Sequence, residues 1–348
     1  MRIFNYKTLG TQLWDSEVLR LVAQIHEYKG KQELYLRQKP AVLDKLVEIA
    51  KMQSTEASNQ IEGIVTTSKR IQQLMVARTT PKNRDEEEIM GYRDVLNTIQ
   101  ESYEYIPLHA SYILQLHRDL YKYSAKSIGG NFKNSQNIIA STSSDGSQEV
   151  IFTPLAPHET PVAIDAICES FTQTMAAEVV DPLILIPVFI NDFLCIHPFN
   201  DGNGRISRLL TTLLLYRCGY VIGRYISLER KIEQTELSYY DVLSKSGMGW
   251  HDGINNPIFF IKYILSIVLA AYRDFENRVS PVDEKVPAVE QVRNAIEKKI
   301  GKFTKSEIME LAPSLSKSSV DKALVKLIEE DFIERHGVGK ATFYVRKK

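Results

Sequence analysis

Apolar residues recur at helical spacing along most of the chain. In residues 257–279 they form one broad apolar face, made by Ile258, Phe259, Ile261, Ile264, Leu265 and Val268. Similar patterns predict helices at 41–52, 68–78, 84–105, 110–123, 160–178, 183–196 and 227–246, and another beginning near 202–204. Strand-like runs are few and short, so we predict a mainly α fold.

The C-terminal segment has its own order of elements. Residues 280–287 carry two prolines and three charges and predict a linker. Beyond them we predict helices at 288–300, at 304–311 and after Ser316, then strands at 333–335 and 343–345. This order resembles a winged helix, in which the third helix and the wing read DNA. Residues 288–348 contain 13 Lys/Arg and 9 Asp/Glu, which leaves both a DNA partner and a protein partner open.

Bulk composition narrows the class of protein. The 348 residues are 44% apolar and 25% charged, as in a globular protein with a full-size core. The formal net charge is zero, so bulk charge indicates neither a nucleic-acid nor a membrane partner. Cys168, Cys195 and Cys218 fit no disulfide or zinc pattern, which favours a reducing compartment. The N-terminus lacks an apolar signal core, so we expect a cytoplasmic protein.

The candidate chemistry lies in a turn between two helices. Pro182 is typical of a first helical residue, and Pro198 should end that helix near His197. Pro187 lies inside it and predicts a bend or break. The next helix should begin around residues 202–204, where unpaired N–H groups and the helix dipole attract anions. Glycines there let a phosphate approach the backbone.

Side chains around this turn suit a nucleotide. Arg205 and Arg208 are three residues apart, so on a helix they share a face and can grip phosphate oxygens. Asp201 is a hard oxygen ligand suited to Mg²⁺, and His197 titrates near neutrality and suits general-base work. Asn203 can add an amide donor. The set predicts a nucleoside triphosphate held on a metal ion beside a base.

The run HPFNDGNGRISR, from His197 to Arg208, resembles the Fic family signature His-x-Phe-x-(Asp/Glu)-Gly-Asn-Gly-Arg-x-x-Arg at every defined position. The resemblance implies an all-helical enzyme that transfers AMP from ATP to a protein hydroxyl. It implies that His197 deprotonates the target Ser, Thr or Tyr, that Asp201 binds Mg²⁺, and that Phe199 packs inward. ATP would be held by Gly202, Asn203, Gly204, Arg205 at the β phosphate and Arg208 at the γ phosphate.

A second run, Ser58-Asn59-Gln60-Ile61-Glu62-Gly63, resembles the family's inhibitory motif, (Ser/Thr)-x-x-x-Glu-(Gly/Asn). The resemblance implies an inhibitory helix at about residues 52–66, with Ser58, Glu62 and Gly63 as its functional residues. Glu62 would pair with Arg208 and remove the γ-phosphate clamp, so that ATP binds in a non-productive pose. The alternative is a solvated glutamate before a helix-ending glycine.

Residues 137–140 and 150–153 are strand-like and flank a Ser/Thr/Asp/Gly segment, which predicts a hairpin. In Fic proteins such a hairpin, the flap, holds the target by strand addition. Lys133 stands where the family often has arginine, and Tyr239 and Tyr240 lie roughly where it lines the adenine and ribose pocket. By resemblance, the target-binding flap residues are Asn137, Ile138, Ile139, Val150, Ile151 and Phe152.

The sequence therefore predicts a mainly α chain: a Fic-type helical core with a β-hairpin flap, followed by a small α+β winged-helix domain. The expected boundaries are 1–100 for the N-terminal helical region with the inhibitory helix, 101–280 for the catalytic core and 288–348 for the winged helix. The predicted function is an autoinhibited protein adenylyltransferase that uses Mg²⁺ and ATP on an unknown protein target or on itself. A homodimer is expected at family level, without a membrane partner.

Two other functions remain open at this point. One is removal of AMP at the same site. The other is a DNA-binding regulator whose Fic domain only senses nucleotide, against which the intact base His197 argues. Gly204 is also intact, which favours AMP transfer over phosphate transfer by resemblance to the family.

Overall fold

The computed structural model describes residues 2–38, 40–76, 79–124, 128–142, 148–279, 287–299 and 301–347. The chain is mainly helical with two small antiparallel sheets, which confirms the predicted class. The helices are α1 (Ser16–Gln38), α2 (Pro40–Gln60), α3 (Ser68–Met75), α4 (Arg84–Ser102), α5 (Ala110–Leu120), α6 (Thr160–Ala177), α7 (Pro182–Ile196), α8 (Asn203–Arg217), α9 (Leu228–Glu233), α10 (Glu236–Gly247), α11 (Ile258–Val279), α12 (Ala288–Glu297), α13 (Lys305–Leu311) and α14 (Lys317–Glu329). The strands are β1 (Ile139–Thr142), β2 (Gln148–Phe152), β3 (Lys302–Phe303), β4 (Ile333–His336) and β5 (Phe343–Arg346).

The described residues form two compact units. The first comprises residues up to Lys29 together with Ala50–Tyr272. The second comprises Gly30–Ile49 and the residues from Arg273 onward. The three-part division at 1–100, 101–280 and 288–348 rests on the sequence and stays a prediction.

The first unit is built around α7. Helices α6 and α8 pack against α7, and α8 also packs against α4. Every residue of α7 from Leu183 to Phe193 is buried, as expected for a helix that is apolar on all faces. The Asp181 carboxylate caps α7 by accepting the Leu183 N–H at 2.8 Å, and Pro182 takes the first position as predicted. None of the described helices combines the length and apolarity needed to cross a membrane.

Pro187 does not break α7, contrary to the sequence expectation. The helix is continuous from Pro182 to Ile196. The proline removes a single hydrogen bond, the one that its N–H would have given to the carbonyl of Leu183. Tertiary packing supplies most of the stability of a buried helix, so α7 tolerates the loss.

Helix α1 is missing from the sequence prediction. Its buried residues Val18, Leu21 and Ile25 lie at helical spacing, so the periodic signal was present. The pattern is diluted by many charged residues on the exposed face of the helix.

Two other regions differ in length. The predicted helix at 41–52 and the predicted inhibitory helix at about 52–66 form one helix, α2, which ends at Gln60. Its C-terminal part is docked by Ser54, whose hydroxyl donates to the buried carboxylate of Glu229 at 2.6 Å. Residues 227–246 form two helices, α9 and α10, and the chain turns between them at Gln234 and Thr235.

In the second unit, α12, α13 and α14 precede a hairpin of β4 and β5, in the predicted order. An additional short strand, β3, pairs with β5 and gives the sheet order β3-β5-β4. The capping box at the start of α13 is present, because Glu307 accepts the Thr304 N–H at 2.6 Å and Thr304 accepts from the Glu307 N–H. The assignment of this unit as a winged helix stays a prediction.

Candidate active site

His197 ends α7 in the left-handed conformation, with φ 52° and ψ 64°. Its N–H donates to the Phe193 carbonyl at 2.9 Å, and its Nδ1 lies 3.3 Å from the carbonyl of Leu194. A carbonyl oxygen can only accept, so this contact assigns the ring proton to Nδ1 and leaves Nε2 as the basic nitrogen. Left-handed backbone is unfavourable for a residue with a Cβ, so neighbouring contacts must hold His197 in place.

Lys133 supplies two of these contacts. Its Nζ donates to the Ile196 carbonyl at 2.9 Å, and its backbone N–H donates to the Pro198 carbonyl at 2.8 Å, so Lys133 brackets His197. Burial lowers the pKa of the Lys133 ammonium to about 8. Burial, together with the nearby Lys133 charge, lowers the pKa of His197 to about 4, so the imidazole is neutral at physiological pH. The residue that replaces the expected arginine therefore positions the base.

The turn after His197 leads to an anion site at the start of α8. Gly202 caps α8 with φ 83°, a left-handed value that favours glycine. Its N–H donates to the Asp201 carboxylate at 2.7 Å. The first turn of a helix leaves N–H groups without intrahelical acceptors and carries the positive end of the dipole, so an anion is stabilised here.

Asn203 fixes the shape of the turn. Its carboxamide donates to the Phe199 carbonyl at 2.8 Å and accepts the Phe199 N–H at 2.9 Å. Both ends of the buried side chain are therefore engaged by the loop itself. Asn203 was predicted to bind ATP, and in this arrangement its backbone N–H is the group that can face a phosphate.

His117 supports the same turn, and the sequence reasoning missed it. Its ring stacks on Phe199 with centroids 3.7 Å apart, accepts the Gly130 N–H at 3.0 Å and donates from Nε2 to the Asp201 carbonyl at 3.0 Å. Burial lowers the pKa of His117 to about 4, which keeps the ring neutral. The signal in the sequence is a histidine beside Leu116 on the apolar face of α5.

Arg205 lies buried beneath the turn. Its NH2 group is 2.8 Å from the carboxylate of Glu88, on α4, and donates to the Tyr121 hydroxyl at 2.8 Å. Both charged side chains are almost fully buried, so Arg205 needs the Glu88 carboxylate for compensation, and the other oxygen of Glu88 accepts from Arg84 at 2.6 Å. Within the described residues, Nε and NH1 of Arg205 have no partner, which leaves donors for an anion. Neither Glu88 nor Tyr121 was singled out from the sequence.

Asp201 fits the predicted role of a magnesium ligand. Its side chain is 42% exposed, and its Oδ2 lies 3.7 Å from Arg84, beyond hydrogen-bonding distance. The described residues contain no cluster of three or more His, Cys, Asp or Glu side chains that could hold a metal. Mg²⁺ usually takes one or two carboxylates and completes its shell with phosphates and water, so a single carboxylate beside an anion site suits it.

Arg208 is held by the end of α2. Its Nε donates to the Ser58 hydroxyl at 2.8 Å, and its NH2 donates to the Ser58 carbonyl at 2.8 Å and to Glu62 at 2.7 Å. The guanidinium is 3% exposed, and its pKa is raised mainly by the Glu62 carboxylate against the opposing effect of burial. The predicted pair of Glu62 and Arg208 is therefore formed, and Ser58 reinforces it with two further bonds.

Gly63 explains why α2 ends at this point. It adopts φ 73°, its N–H donates to the Gln60 carbonyl at 2.9 Å, and the Ile64 N–H donates to the Asn59 carbonyl at 3.0 Å. These two bonds form a Schellman motif, which requires a left-handed residue and so favours glycine. The motif turns the chain away immediately after Glu62 and leaves the carboxylate against the first turn of α8, where a Cβ added to Gly204 would overlap with it.

These elements enclose one cavity of about 540 Å³. His197, Gly204, Arg208 and Glu62 line it, so the structure brings the base, the helix start and the inhibitory carboxylate together. Both predicted tyrosines also line it. Tyr239 is buried at 3% exposure, whereas Tyr240 is 46% exposed. The remaining lining residues are Ile139, Ala140, Ile151, Phe152, Asn191, Leu194, Cys195, Leu243, Ser244 and Gly247.

The flap is present as the hairpin of β1 and β2. At the tip each strand extends two residues further than predicted, since β1 ends at Thr142 and β2 begins at Gln148. Cross-strand pairing sets the register and places Ile139 opposite Phe152. Asn137 precedes β1 and donates to the Phe199 carbonyl at 2.8 Å, which ties the flap to the turn. Ile139, Ile151 and Phe152 line the cavity, whereas Ile138 and Val150 are more than half exposed.

The chain is similar to known proteins in sequence and in fold. Residues 107–215 match the model of the Fic/DOC family. The protein adenylyltransferase Fic of Aedes aegypti is 30% identical over 139 residues, which cover 39% of this chain and 24% of that relative. The match thus spans about a quarter of the relative's length.

Solved structures share the fold. A Fic family protein from Desulfovibrio desulfuricans G20 superposes with a TM-score of 0.63 and 20% identity, covering 97% of both chains. A Fic domain containing signaling protein from Bacteroides thetaiotaomicron VPI-5482 gives a TM-score of 0.59 at 24% identity, covering 74% of this chain and 95% of that one. The predicted resemblance is confirmed at the level of a Fic/DOC family domain.

Because Glu62 approaches Gly204 closely, we predict that Gly204→Ala destabilises the chain when Glu62 is present and stabilises it when Glu62 is absent. Gly204→Ala should lower the free energy of unfolding in the wild type by about 1–3 kcal/mol, because the added methyl group overlaps with the carboxylate. In a Glu62→Gly background the same change should stabilise by up to about 1 kcal/mol, because alanine is the better helix former and the remaining close atom, NH1 of Arg208 at 3.2 Å from the added Cβ, belongs to a side chain that Glu62 no longer holds. Denaturant titration of the four proteins measures both values. Equal effects in the two backgrounds would contradict the contact.

Buried His117 and partly buried His197 predict acid sensitivity. The pKa values of His117 and His197 are about 4 in the folded chain, against about 6.5 in an unfolded one. As the pH falls through this window the unfolded chain binds protons that the folded chain excludes, so stability falls with pH. Comparing unfolding at about pH 7.5 and about pH 5 should show a smaller loss for His117→Gln than for wild type. His158→Gln, at an exposed side chain, should keep the wild-type loss, and equal losses in all three would exclude the assignment.

Proposed function

Starting from a Fic/DOC family domain at residues 107–215, we propose that this chain is a protein adenylyltransferase. It transfers AMP from Mg-ATP to a Ser, Thr or Tyr hydroxyl of a protein target or of itself. The observation that carries the proposal is a cavity of about 540 Å³ that is lined by His197, by Gly204 in the first turn of α8 and by Arg208. The Aedes aegypti relative, described as a protein adenylyltransferase, adds support over the matched segment.

His197 acts as the general base in this proposal. Its Nε2 takes the proton of the target hydroxyl while the hydroxyl oxygen forms a bond to the α phosphorus. The bond from the α phosphorus to the oxygen that bridges to the β phosphorus breaks, and pyrophosphate leaves. A neutral imidazole is required before the step, and the lowered pKa of His197 ensures it. Lys133 holds the imidazole by fixing the carbonyls on both sides of His197.

The phosphates are bound by the start of α8. Its free N–H groups and the positive end of its dipole hold the negative charge, and Arg205 and Arg208 add guanidinium donors. Asp201 would hold Mg²⁺, which neutralises phosphate charge when it is bound. The fixed turn from Phe199 to Asn203 keeps these donors in place, so little reorganisation is needed when the reaction occurs.

Glu62 inhibits transfer in this proposal by occupying Arg208. Three of the guanidinium's five N–H groups lie on Nε and NH2, and both of those nitrogens already donate to Ser58 or Glu62. A γ phosphate must therefore compete with a carboxylate that is already paired. The same carboxylate lies against the first turn of α8, so it also repels an incoming phosphate.

Removal of AMP is the second candidate. Glu62 and His197 line the same cavity, so a carboxylate is available to orient a water toward an AMP-modified hydroxyl. Incubating an AMP-modified target with the chain distinguishes this activity, because release of AMP should then depend on Glu62.

Glu62→Gly should increase AMP transfer at least about tenfold, because it frees the Arg208 clamp. Intact-protein mass after incubation with Mg-ATP measures self-modification, and labelled ATP with cell lysate extends the test to other targets. Gln60→Gly is the matched control, since it places a glycine at an exposed position of the same helix end and leaves the ion pair intact. Equal activation by Gln60→Gly would assign the effect to loosening of α2 and contradict inhibition by charge pairing.

His197→Ala in the Glu62→Gly background should reduce transfer about 10²–10⁴-fold, the usual contribution of a positioned base. Binding of Mg-ATP, measured by calorimetry, should change less than about threefold, because His197 contributes no phosphate donor in this proposal. Joint loss of ATP binding and of the folded state would make His197 a structural residue instead.

A further inference from the structure

Asn191 presents a buried amide without a partner. It lies on α7, six residues before His197, and is 1% exposed. Within the described residues, neither its Nδ2 nor its Oδ1 has a hydrogen-bond partner. Buried polar groups are nearly always satisfied, so an amide that is unsatisfied at both ends indicates a missing partner.

The place of Asn191 indicates what that partner is. Asn191 lines the same cavity as His197 and Arg208. Leu194 and Cys195 are three and four residues further along α7, on the same helix face, and they line the cavity too. Phe152 and Leu243 also contribute to the lining. These apolar side chains suit a flat, largely apolar heterocycle.

The polar groups of the cavity divide by chemistry. His197 and Arg208 are assigned to the hydroxyl and the phosphates, and Glu62 is paired with Arg208. The Asn191 carboxamide carries a donor and an acceptor side by side. The edge of adenine offers the complementary pair, an amino group next to a ring nitrogen, which is the pairing that asparagine makes with adenine in nucleic-acid recognition.

We propose that Asn191 is the residue that recognises the base: its Oδ1 accepts from the 6-amino group of adenine, and its Nδ2 donates to the adjacent ring nitrogen. The inference rests on the proposed use of ATP. The inference adds a residue that selects adenine, and this residue lies on α7, the helix that ends at the general base His197. Occupation by adenine would satisfy both ends of the amide, so it accounts for an uncompensated group in the core of the first unit.

The test pairs a protein change with a ligand change. Binding of ATP and of purine riboside 5′-triphosphate, which lacks the 6-amino group, is measured by calorimetry on the full chain carrying Glu62→Gly and His197→Ala. This background frees Arg208 and prevents turnover. Asn191→Leu replaces the amide by an apolar side chain of similar size, and Cys195→Ala changes the same face of α7 without altering the amide.

Asn191→Leu should weaken ATP binding about tenfold and binding of the analogue by only about threefold, because both ligands lose the contact to the ring nitrogen and only ATP also loses the amino contact. Cys195→Ala should affect the two ligands equally. Equal weakening of both ligands by Asn191→Leu would make Asn191 structural, and no weakening of ATP would also overturn the proposal. Asn191→Ala, measured in the same way, keeps the test valid if the leucine variant does not fold. Failure of ATP to bind the background protein would instead overturn the proposed function, and with it this inference.

Discussion

The guanidinium of Arg208 joins the two parts of the molecule on which the proposed activity and its control depend. It projects from α8, the helix whose start forms the anion site, and it is engaged by Ser58 and Glu62 at the end of α2. A buried guanidinium needs acceptors, because an unpaired charge in the interior is costly. In this structure α2 provides them. A phosphate could provide them equally well, so the same physical requirement serves both inhibition and substrate binding.

Several buried side chains hold the turn between α7 and α8 in place. Lys133 clamps the carbonyls around His197, Asn203 closes on the backbone of Phe199, and His117 stacks beneath that ring. Each of these side chains is buried, so each can form its bonds with little competition from water. A base that occupies an unfavourable backbone conformation can persist only where several such contacts determine it together.

The match to the family model covers the segment from His197 to Arg208 and leaves Ser58, Glu62 and Gly63 outside it. The family match begins at residue 107, whereas Ser58, Glu62 and Gly63 lie far upstream. The contacts that support control by Glu62 all lie within this chain: the Schellman motif at Gly63, the ion pair, and the position of the Glu62 carboxylate over Gly204. The cavity adds Asn191, which also belongs to neither quoted motif.

The sequence by itself determined the mainly helical class and the two helices and turn that carry His197 to Arg208. Through resemblance to a family, it also predicted the pairing of Glu62 with Arg208. Helix periodicity and capping are local, since their hydrogen bonds join residues no more than about four positions apart. The order of residues along the chain therefore records them. Only the tertiary structure showed that Glu88 compensates Arg205, that His117 supports the turn, that Asn203 is engaged by the loop, and that Pro187 leaves α7 unbroken. It also extended the flap strands two residues further at the tip. Packing across the fold decides which side chains from distant helices become partners, and cross-strand pairing decides the register of the strands. No local pattern in the chain encodes which of these residues will meet.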